Sequence, residues 1–382
     1  HLFRSRLYKL SYTIMIEKDK LKPNKNIQKF LFSSTANLCG EFATDHFLIT
    51  QAWPNYSPTT HWHKNSITPA AKNAYMLVFN TEDLSPDPGY EAIYYSGLGE
   101  LVTSALSLLY GKVFDFHGPI ECNGHYHVAD QLILGVQRNT NYSFYSQAPR
   151  ADFQVKLDLS EVGRIYPLLF NDGENKEPKQ FKRSLMACCK FYALALQGAE
   201  KDPEVSYLHL VTALEILSNT ISFNGDQLLD QYALDTIKLV DKCCENSTEI
   251  EKFIKDRLRQ VKRKFTLTVE KYIDDNFFNR TESQSDITRF KKETFQKCIK
   301  SAYDLRSQYV HTGSSFGRRV LKPFCGINSE TPLPSKSSSK DSLDRILDYA
   351  PSLSGLERVT RYSLLSAAIE HNFFSMLHSK HG

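Results

Sequence analysis

The chain has 382 residues, a length that supports two or three domains with large hydrophobic cores. Charged residues make up 24% of it and hydrophobic residues 41%, as in an ordinary soluble globular protein, and the formal net charge of +4 does not by itself indicate nucleic-acid binding. No apolar stretch reaches the length of a membrane span, and the spacing of the eight cysteines matches neither a zinc ribbon nor a small secreted disulfide scaffold. A reducing cytoplasm is therefore the expected location.

The first part of the chain, residues 1–172, mixes short runs rich in β-branched and aromatic residues with few long helical patterns. One helix is predicted over residues 100–110, just before the letters GKVFDF. Strands are predicted at residues 8–16, 47–50, 74–79, 131–136 and 153–157. These elements predict an α+β or mainly β domain, followed by a polar linker over residues 171–180.

From residue 180 onward the pattern becomes helical. Gly198 is typical of a helix end, and Asp202 with Pro203 is typical of a helix start, because aspartate caps the first turn and proline is tolerated in it. Helices are predicted over residues 180–198, 202–220, 228–244, 248–264, 286–311 and 355–377, with a flexible loop at 327–342. Residues 180–382 are therefore expected to form a four-helix bundle with a helical insertion between its second and third core helices.

The letters YDLRSQYVHTG, at the end of the helix predicted over residues 286–311, contain the most informative pair of residues, Arg306 and His311. A guanidinium group can hold a phosphate through two parallel hydrogen bonds, and an imidazole exchanges a proton near neutral pH. Together, these residue types are suited to cleaving a phosphodiester without a metal ion. Gly313 is suited to end the helix, because glycine accepts the left-handed conformation that is common just after a helix C-terminus.

The geometry of one straight helix separates the two side chains. With about 100° per residue, Arg306 lies roughly 60° from the centre of the apolar stripe, and Arg306 and His311 diverge by roughly 140°. They can converge only if the helix opens near Thr312 and Gly313, or if a second copy supplies one of them. The stripe itself follows steps of three and four and comprises Phe295, Cys298, Ala302, Leu305 and Tyr309.

Residues 297–313 resemble the signature of HEPN ribonucleases, in which an arginine is followed after four to six residues by a histidine at the end of a helix. The segment is similar to the Apea-like HEPN branch in particular, and the resemblance covers about residues 180–380. It implies a metal-independent endoribonuclease of a prokaryotic antiviral defence, abortive infection or toxin system, active in the cytoplasm without a cofactor. Arg306 would bind the scissile phosphate, and His311 would transfer a proton.

The resemblance also implies the partners. The substrate would be RNA, with transfer RNA among the candidates, and the chain would form a homodimer through the helical bundle, with no membrane involved. By analogy, residues 1–172 would be a sensor or regulatory domain that receives a phage-derived trigger.

One residue departs from the family pattern. Many HEPN motifs have asparagine, aspartate or histidine directly after the arginine, and this chain has Ser307. Serine can donate a hydrogen bond to a phosphate, but it cannot act as a base. A HEPN-like module that binds RNA or a partner protein without cleaving it therefore stays open as the alternative.

Glu215 lies in the apolar segment LHLVTALEILSN. A carboxylate in such a helix must be paired, or its pKa will rise. Arg306 is the natural partner, and similar helices of HEPN proteins also carry an acidic residue. Glu215 is expected to orient the arginine in the active site, to fix the helix register as a buried ion pair, or both.

Basic residues are expected to contact the RNA backbone. Residues 251–300 carry 14 lysines and arginines against eight acidic residues, an excess that could follow phosphates electrostatically or form an ordinary solvated helix surface. The candidates in this segment are Arg257, Arg259 and Lys262. Arg318, Arg319 and Lys322 follow the motif helix and are closer to His311.

Two other motifs are weaker. The letters GSSFG at residues 313–317 match a nucleophile elbow, but a helix rather than a strand precedes Ser315, so a hydrolase serine is rejected. Two groups, His61 with His63 and Cys122 with His125 and His127, invite a zinc interpretation but lack a fourth ligand, and no metal site is predicted.

Overall fold

The computed structural model describes residues 27–34, 36, 38–52, 73–80, 96–121, 157–170, 176–199, 201–229, 231–243, 261–281, 283, 285–321, 329–333 and 342–375. The chain forms two compact units, one of residues 1–171 with 372–382 and the other of residues 172–371. The predicted strands at 8–16 and 131–136 lie outside the described residues, as do most of the strand predicted at 153–157 and of the helix predicted at 248–264.

The first unit is built on an antiparallel sheet. Its described strands are β1 (Ile27–Ser34), β2 (Leu38–Cys39), β3 (Phe42–Ala43), β4 (Phe47–Gln51), β5 (Asn73–Asn80), β6 (Phe114–Glu121) and β7 (Leu157–Asp158). Five of them form one sheet in the order β3-β4-β5-β1-β6, and β2 pairs with β7 in a second, parallel sheet. Strand β1 pairs with the central strand β5 along its whole length and with β6 on its other side.

Residues on both faces of this sheet are buried. Alternate residues of β1, β4 and β5 place aromatic rings on one face, where the Phe30 and Phe79 centroids are 5.8 Å apart. The opposite face carries a cluster of aliphatic side chains, among them Leu48, Met76 and Val78. Helix α1 (Ser96–Tyr110) packs against β1 and β6. Strand β7 is followed by a 3-10 helix, Leu159–Ile165, and by the short helix α2 (Tyr166–Phe170).

The α+β prediction for the first part of the chain is confirmed in outline. The strands predicted at residues 47–50 and 74–79 are present as β4 and β5, and the predicted helix is present as α1, which begins four residues earlier than expected. The strands β1 and β6 were not predicted. β1 is buried on both faces and lacks the alternation of a half-exposed strand, whereas β6 contains Gly118 and Pro119, two residues that usually weaken a strand.

The second unit is helical in the part that the structure describes. Its helices are α3 (Lys176–Gly198), α4 (Pro203–Thr220), α5 (Gln231–Cys243), α6 (Val261–Tyr272), α7 (Asp275–Asn279), α8 (Lys292–Thr312), α9 (Gly317–Leu321), α10 (Ser342–Leu347) and α11 (Leu353–Glu370). Helix α4 is central, because it contacts α3, α6, α8 and α11. Helix α6, which lies in the range predicted to be an insertion, therefore belongs to the core of the unit. None of the described helices combines the length and the apolar content needed to cross a membrane.

Two predicted helix limits are wrong because local sequence favours longer helices. The linker predicted to extend to residue 180 ends earlier, since α3 begins at Lys176 and proline at position 178 is tolerated in a first turn. The helix predicted to end at Lys264 continues to Tyr272, and its continuation buries Phe265 and Val269.

Two other predicted helix limits are wrong. One is changed by a tertiary contact, and the other by a left-handed residue that follows the helix. α8 begins at Lys292 instead of residue 286, because the Phe290 N–H donates to the Glu330 carboxylate at 2.7 Å. Backbone groups used in this way are not available to a helix. α11 ends at Glu370 instead of residue 377, and Asn372 follows with a φ of 59°.

A buried ion pair joins α11 to the segment at residues 329–333. Arg358 of α11 places Nη1 2.7 Å from Oε1 of Glu330, with only 8% and 3% of the two side chains exposed. Arg358 also donates to the carbonyl oxygen of Phe277 in α7 and lies over its ring at 3.8 Å. Both charges are thus hydrogen-bonded, which is the condition under which a buried ion pair is tolerated.

Replacing Glu330 by glutamine should destabilise the protein, because it removes the negative charge that lies 2.7 Å from the buried Arg358 guanidinium. We expect the free energy of unfolding in urea to fall by about 3 kcal/mol. The matched control is Lys238→Ala, which breaks an exposed pair with Asp235 and should change that free energy by less than about 0.5 kcal/mol. Equal effects of the two substitutions would contradict this account.

Candidate functional site

The motif helix α8 ends where the sequence predicted. Phe295, Cys298, Ala302 and Leu305 are buried along one stripe, as expected, and Tyr309 is half-buried. Gly313 follows the last helical residue with a φ of 68°, and its N–H donates to the Tyr309 carbonyl oxygen at 2.8 Å. A residue with a side chain would be strained in this left-handed conformation, so glycine at this position stabilises the helix end.

Arg306 is held by Glu215. Its Nη2 lies 3.1 Å from Glu215 Oε2 on α4, with 28% of the arginine side chain and 17% of the glutamate side chain exposed. The predicted pairing of these two residues is confirmed. A guanidinium has five N–H donors, and among the described residues Glu215 is the hydrogen-bond partner of this one. The remaining donors are therefore available to a ligand.

The electrostatic balance of the pair is uneven. Partial burial raises the pKa of the Glu215 carboxyl, and the Arg306 charge lowers it by a smaller amount. Burial also raises the pKa of the neighbouring Tyr303 hydroxyl, and the Glu215 carboxylate adds to that increase. The Tyr303 ring packs against Phe265 of α6, with the centroids 5.3 Å apart. These contacts place Glu215 and Arg306 at the junction of α4, α6 and α8.

His311 lies in the last turn of α8 and is exposed. Its imidazole has no hydrogen bond to any residue that the structure describes. The helix is continuous through Thr312, so it does not open before His311. Because five positions separate Arg306 from His311, their side chains leave one straight helix about 140° apart.

The predicted RNA-contacting residues fall into two groups. Ser307 is half-buried on α8, Arg318 is exposed on α9, and Lys262 on α6 forms an ion pair with Asp304 at 2.6 Å. The positive charge of Lys262 is thus compensated within the chain. The second group lies outside the described part of the structure and comprises the side chain of Arg319 and the residues Lys322, Arg257 and Arg259.

The weaker motifs are partly covered by the structure. Ser315 follows helix α8 and lies before the short helix α9, so it does not have the strand–turn–helix setting of a nucleophile elbow. The histidines at positions 61, 63, 125 and 127 and Cys122 lie outside the described residues. Within the described ranges, no cluster of three or more His, Cys, Asp or Glu side chains is placed to hold a metal ion.

Three residues near the site were not predicted. Tyr303 and Asp304 lie within one turn of Arg306 on α8, and this spacing was an available signal. Glu204 lies in the first turn of α4 and accepts hydrogen bonds from the Ser315 hydroxyl at 2.5 Å and from the Phe316 N–H at 2.9 Å. No sequence pattern links Glu204 to a turn more than 100 residues away.

Comparison of the chain with protein-family models, with curated proteins and with solved structures finds no match. The resemblance to HEPN ribonucleases therefore rests on the letters around Arg306 and His311 and on the helical setting. Any functional conclusion therefore depends on the geometry of Arg306, Glu215 and His311.

The raised pKa of Glu215 gives a pH-dependent prediction. A carboxyl with a raised folded-state pKa contributes stability at low pH that is lost as the pH rises from its ordinary value of 4.5 through the folded-state pKa. We therefore expect the stability of the wild type relative to Glu215→Gln to decrease as the pH rises above 4.5, measured by urea unfolding at several pH values. A relative stability that increases with pH would mean that the attraction to Arg306 outweighs the effect of burial.

Proposed function

We propose that this chain is an endoribonuclease that cleaves RNA through attack of the ribose 2′-OH, without requiring a metal ion. The observation that carries the proposal is the half-buried Arg306, held by Glu215 and with free donors, on the same helix as the exposed His311. The resemblance of residues 297–313 to the HEPN signature supports the same function. It further suggests a prokaryotic antiviral or toxin system in which the first unit receives the trigger.

Arg306 would act on the phosphate. Its donors that do not bind Glu215 can contact the non-bridging oxygens, where negative charge increases as the 2′-oxygen adds to phosphorus. Glu215 would fix the guanidinium plane, so that little ordering is needed when RNA binds. Ser307, the next residue on the helix, can add a hydrogen bond to the phosphate.

His311 would transfer the protons. The 2′-oxygen forms a bond to phosphorus and loses its proton, and the bond from phosphorus to the 5′-oxygen breaks as that oxygen gains a proton. The products are a 2′,3′-cyclic phosphate and a 5′-hydroxyl end. DNA should not be cleaved, because it lacks the 2′-hydroxyl.

The divergence of the two side chains supports a dimer. One continuous helix directs Arg306 and His311 about 140° apart, so a single copy does not bring both to one phosphate. In a two-fold dimer, the arginine of one copy and the histidine of the other can share a site. Val310, the neighbour of His311, is 55% exposed and offers apolar surface at this helix end.

The direct test is cleavage of total RNA in the presence of a chelator. Wild type should produce 2′,3′-cyclic phosphate ends, and His311→Ala should lower the rate by at least about a hundredfold. Gln296→Ala, a substitution of an exposed residue near the start of the same helix, should cleave like wild type. Equal cleavage by wild type and His311→Ala would contradict the assignment.

The same assay distinguishes the alternative function. The serine at position 307, where many HEPN motifs have a base or an amide, favours a module that binds RNA without cleaving it. RNA binding by the wild type with no chain scission would support that alternative.

A shared site predicts complementation between two inactive variants. His311→Ala and Arg306→Ala should each be inactive alone, and mixing them after subunit exchange should restore cleavage, because one site of each mixed dimer keeps both groups. The restored activity should depend on protein concentration. No recovery, with mixed dimers demonstrated by mass spectrometry, would place both groups of the site in one chain.

A further inference from the structure

The turn that follows the motif helix is tied to the start of α4 through one carboxylate. Glu204 Oε1 accepts from the Ser315 hydroxyl at 2.5 Å and from the Phe316 N–H at 2.9 Å. The Tyr309 hydroxyl is near the same carboxylate: burial raises the pKa of that hydroxyl, and the Glu204 charge adds to the increase. Two donors of the turn therefore converge on one side chain, and the Tyr309 hydroxyl is near it.

Aromatic packing supports the same attachment. The Phe316 ring is fully buried and lies 4.9 Å from the Tyr309 ring and 5.1 Å from the Tyr207 ring of α4, measured between centroids. Apolar contact between rings holds the turn near α4, whereas the hydrogen bonds to Glu204 fix its orientation.

His311 lies between the two points of attachment. Tyr309 precedes it, with its hydroxyl near the Glu204 carboxylate, and Ser315 and Phe316 follow it and donate to that carboxylate. The imidazole itself makes no hydrogen bond to a described residue. Its position is therefore set by the backbone of the last helical turn, which Glu204 holds from both sides.

Glu204 and Glu215 occupy related places on α4. They are eleven positions apart, which corresponds to about three turns of the helix. Their side chains therefore leave the helix within roughly 20° of each other and about 16 Å apart along its axis. One carboxylate binds Arg306 and the other binds the turn that follows His311. The same face of α4 thus binds Arg306 and the turn that follows His311.

We propose that Glu204 is a positioning residue, which holds the end of α8 so that the imidazole of His311 is presented in one orientation. Its effect on catalysis rests on the proposed ribonuclease function, but its effect on the histidine does not. Glu204 touches neither the substrate nor the reacting atoms in this scheme, and acts through the backbone of residues 309–316.

The experiment uses the full chain with Glu204→Ala and Glu204→Gln. The amide of glutamine keeps an oxygen that accepts the same hydrogen bonds, so Glu204→Gln should resemble the wild type. The matched control is Glu270→Ala, which removes a carboxylate that accepts from Gln296, near the other end of α8, at 3.2 Å. Thermal unfolding would verify that all variants are folded.

Two measurements do not depend on activity. Amide hydrogen exchange over residues 309–317 should be about tenfold faster in Glu204→Ala, because hydrogen bonds to a charged acceptor are lost. The imidazole NMR signal of His311, assigned by its loss in His311→Gln, should shift in Glu204→Ala. Neither quantity should change in Glu270→Ala.

Cleavage kinetics form the third measurement. Glu204→Ala should lower kcat about tenfold with little change in KM, since a misplaced proton-transfer group affects the transition state more than substrate binding. Glu204→Gln should stay within about twofold of the wild type.

The possible outcomes separate the two proposals. If exchange and the His311 signal change but the wild type does not cleave RNA, the positioning role stands and the ribonuclease function fails. If the His311 signal is unchanged in Glu204→Ala, the positioning role is overturned, whatever the exchange rates. If the signal changes in an active enzyme while kcat does not, the role of Glu204 is structural only, and the proposal is likewise overturned.

Discussion

The ion pair between Arg358 and Glu330 is the interaction on which the helical unit depends. It lies inside the unit, where two unpaired charges would be costly, and each partner also forms a hydrogen bond with the backbone of another segment. Arg358 binds backbone carbonyl oxygens at α7, and Glu330 binds the N–H of Phe290, two residues before α8. The start of α8 is therefore set by a carboxylate, as is its end, where Glu204 holds the following turn. A helix held at both ends can carry its functional groups in a defined place.

Sequence periodicity predicted those elements whose stability is local. α4 has its cap, its proline and its apolar faces within 20 residues, and the glycine at position 313 marks the end of α8. Elements that depend on distant contacts were missed. The interior strand β1 gains its place from pairing with residues that are 39 to 53 and 80 to 92 positions away, and the start of α8 depends on Glu330, which lies 40 residues beyond Phe290. Periodicity within a short window contains no information about such partners.

The contacts of the site also divide into those that could be predicted from the sequence and those that could not. The pairing of Arg306 with Glu215 could be predicted, because a carboxylate in an apolar helix needs a counter-charge and similar helices of HEPN proteins also carry an acidic residue. The divergence of Arg306 and His311 followed from helix geometry alone. The contact of Glu204 with Ser315 and Phe316 could not be predicted, because an acidic residue in a first helical turn is already explained by the helix dipole.

The spacing of Glu204 and Glu215 has a consequence for how α4 can vary. Substitutions along this helix change packing locally, but the insertion or deletion of one residue between the two glutamates would rotate one of them by about 100° relative to the other. Either Arg306 or the turn after His311 would then lose its carboxylate, although every side chain of the motif helix was unchanged. The length of α4 between these positions is therefore more tightly constrained than its composition. Homologous chains that keep the motif should tolerate a change of length in the loops around α4 far better than in the helix itself.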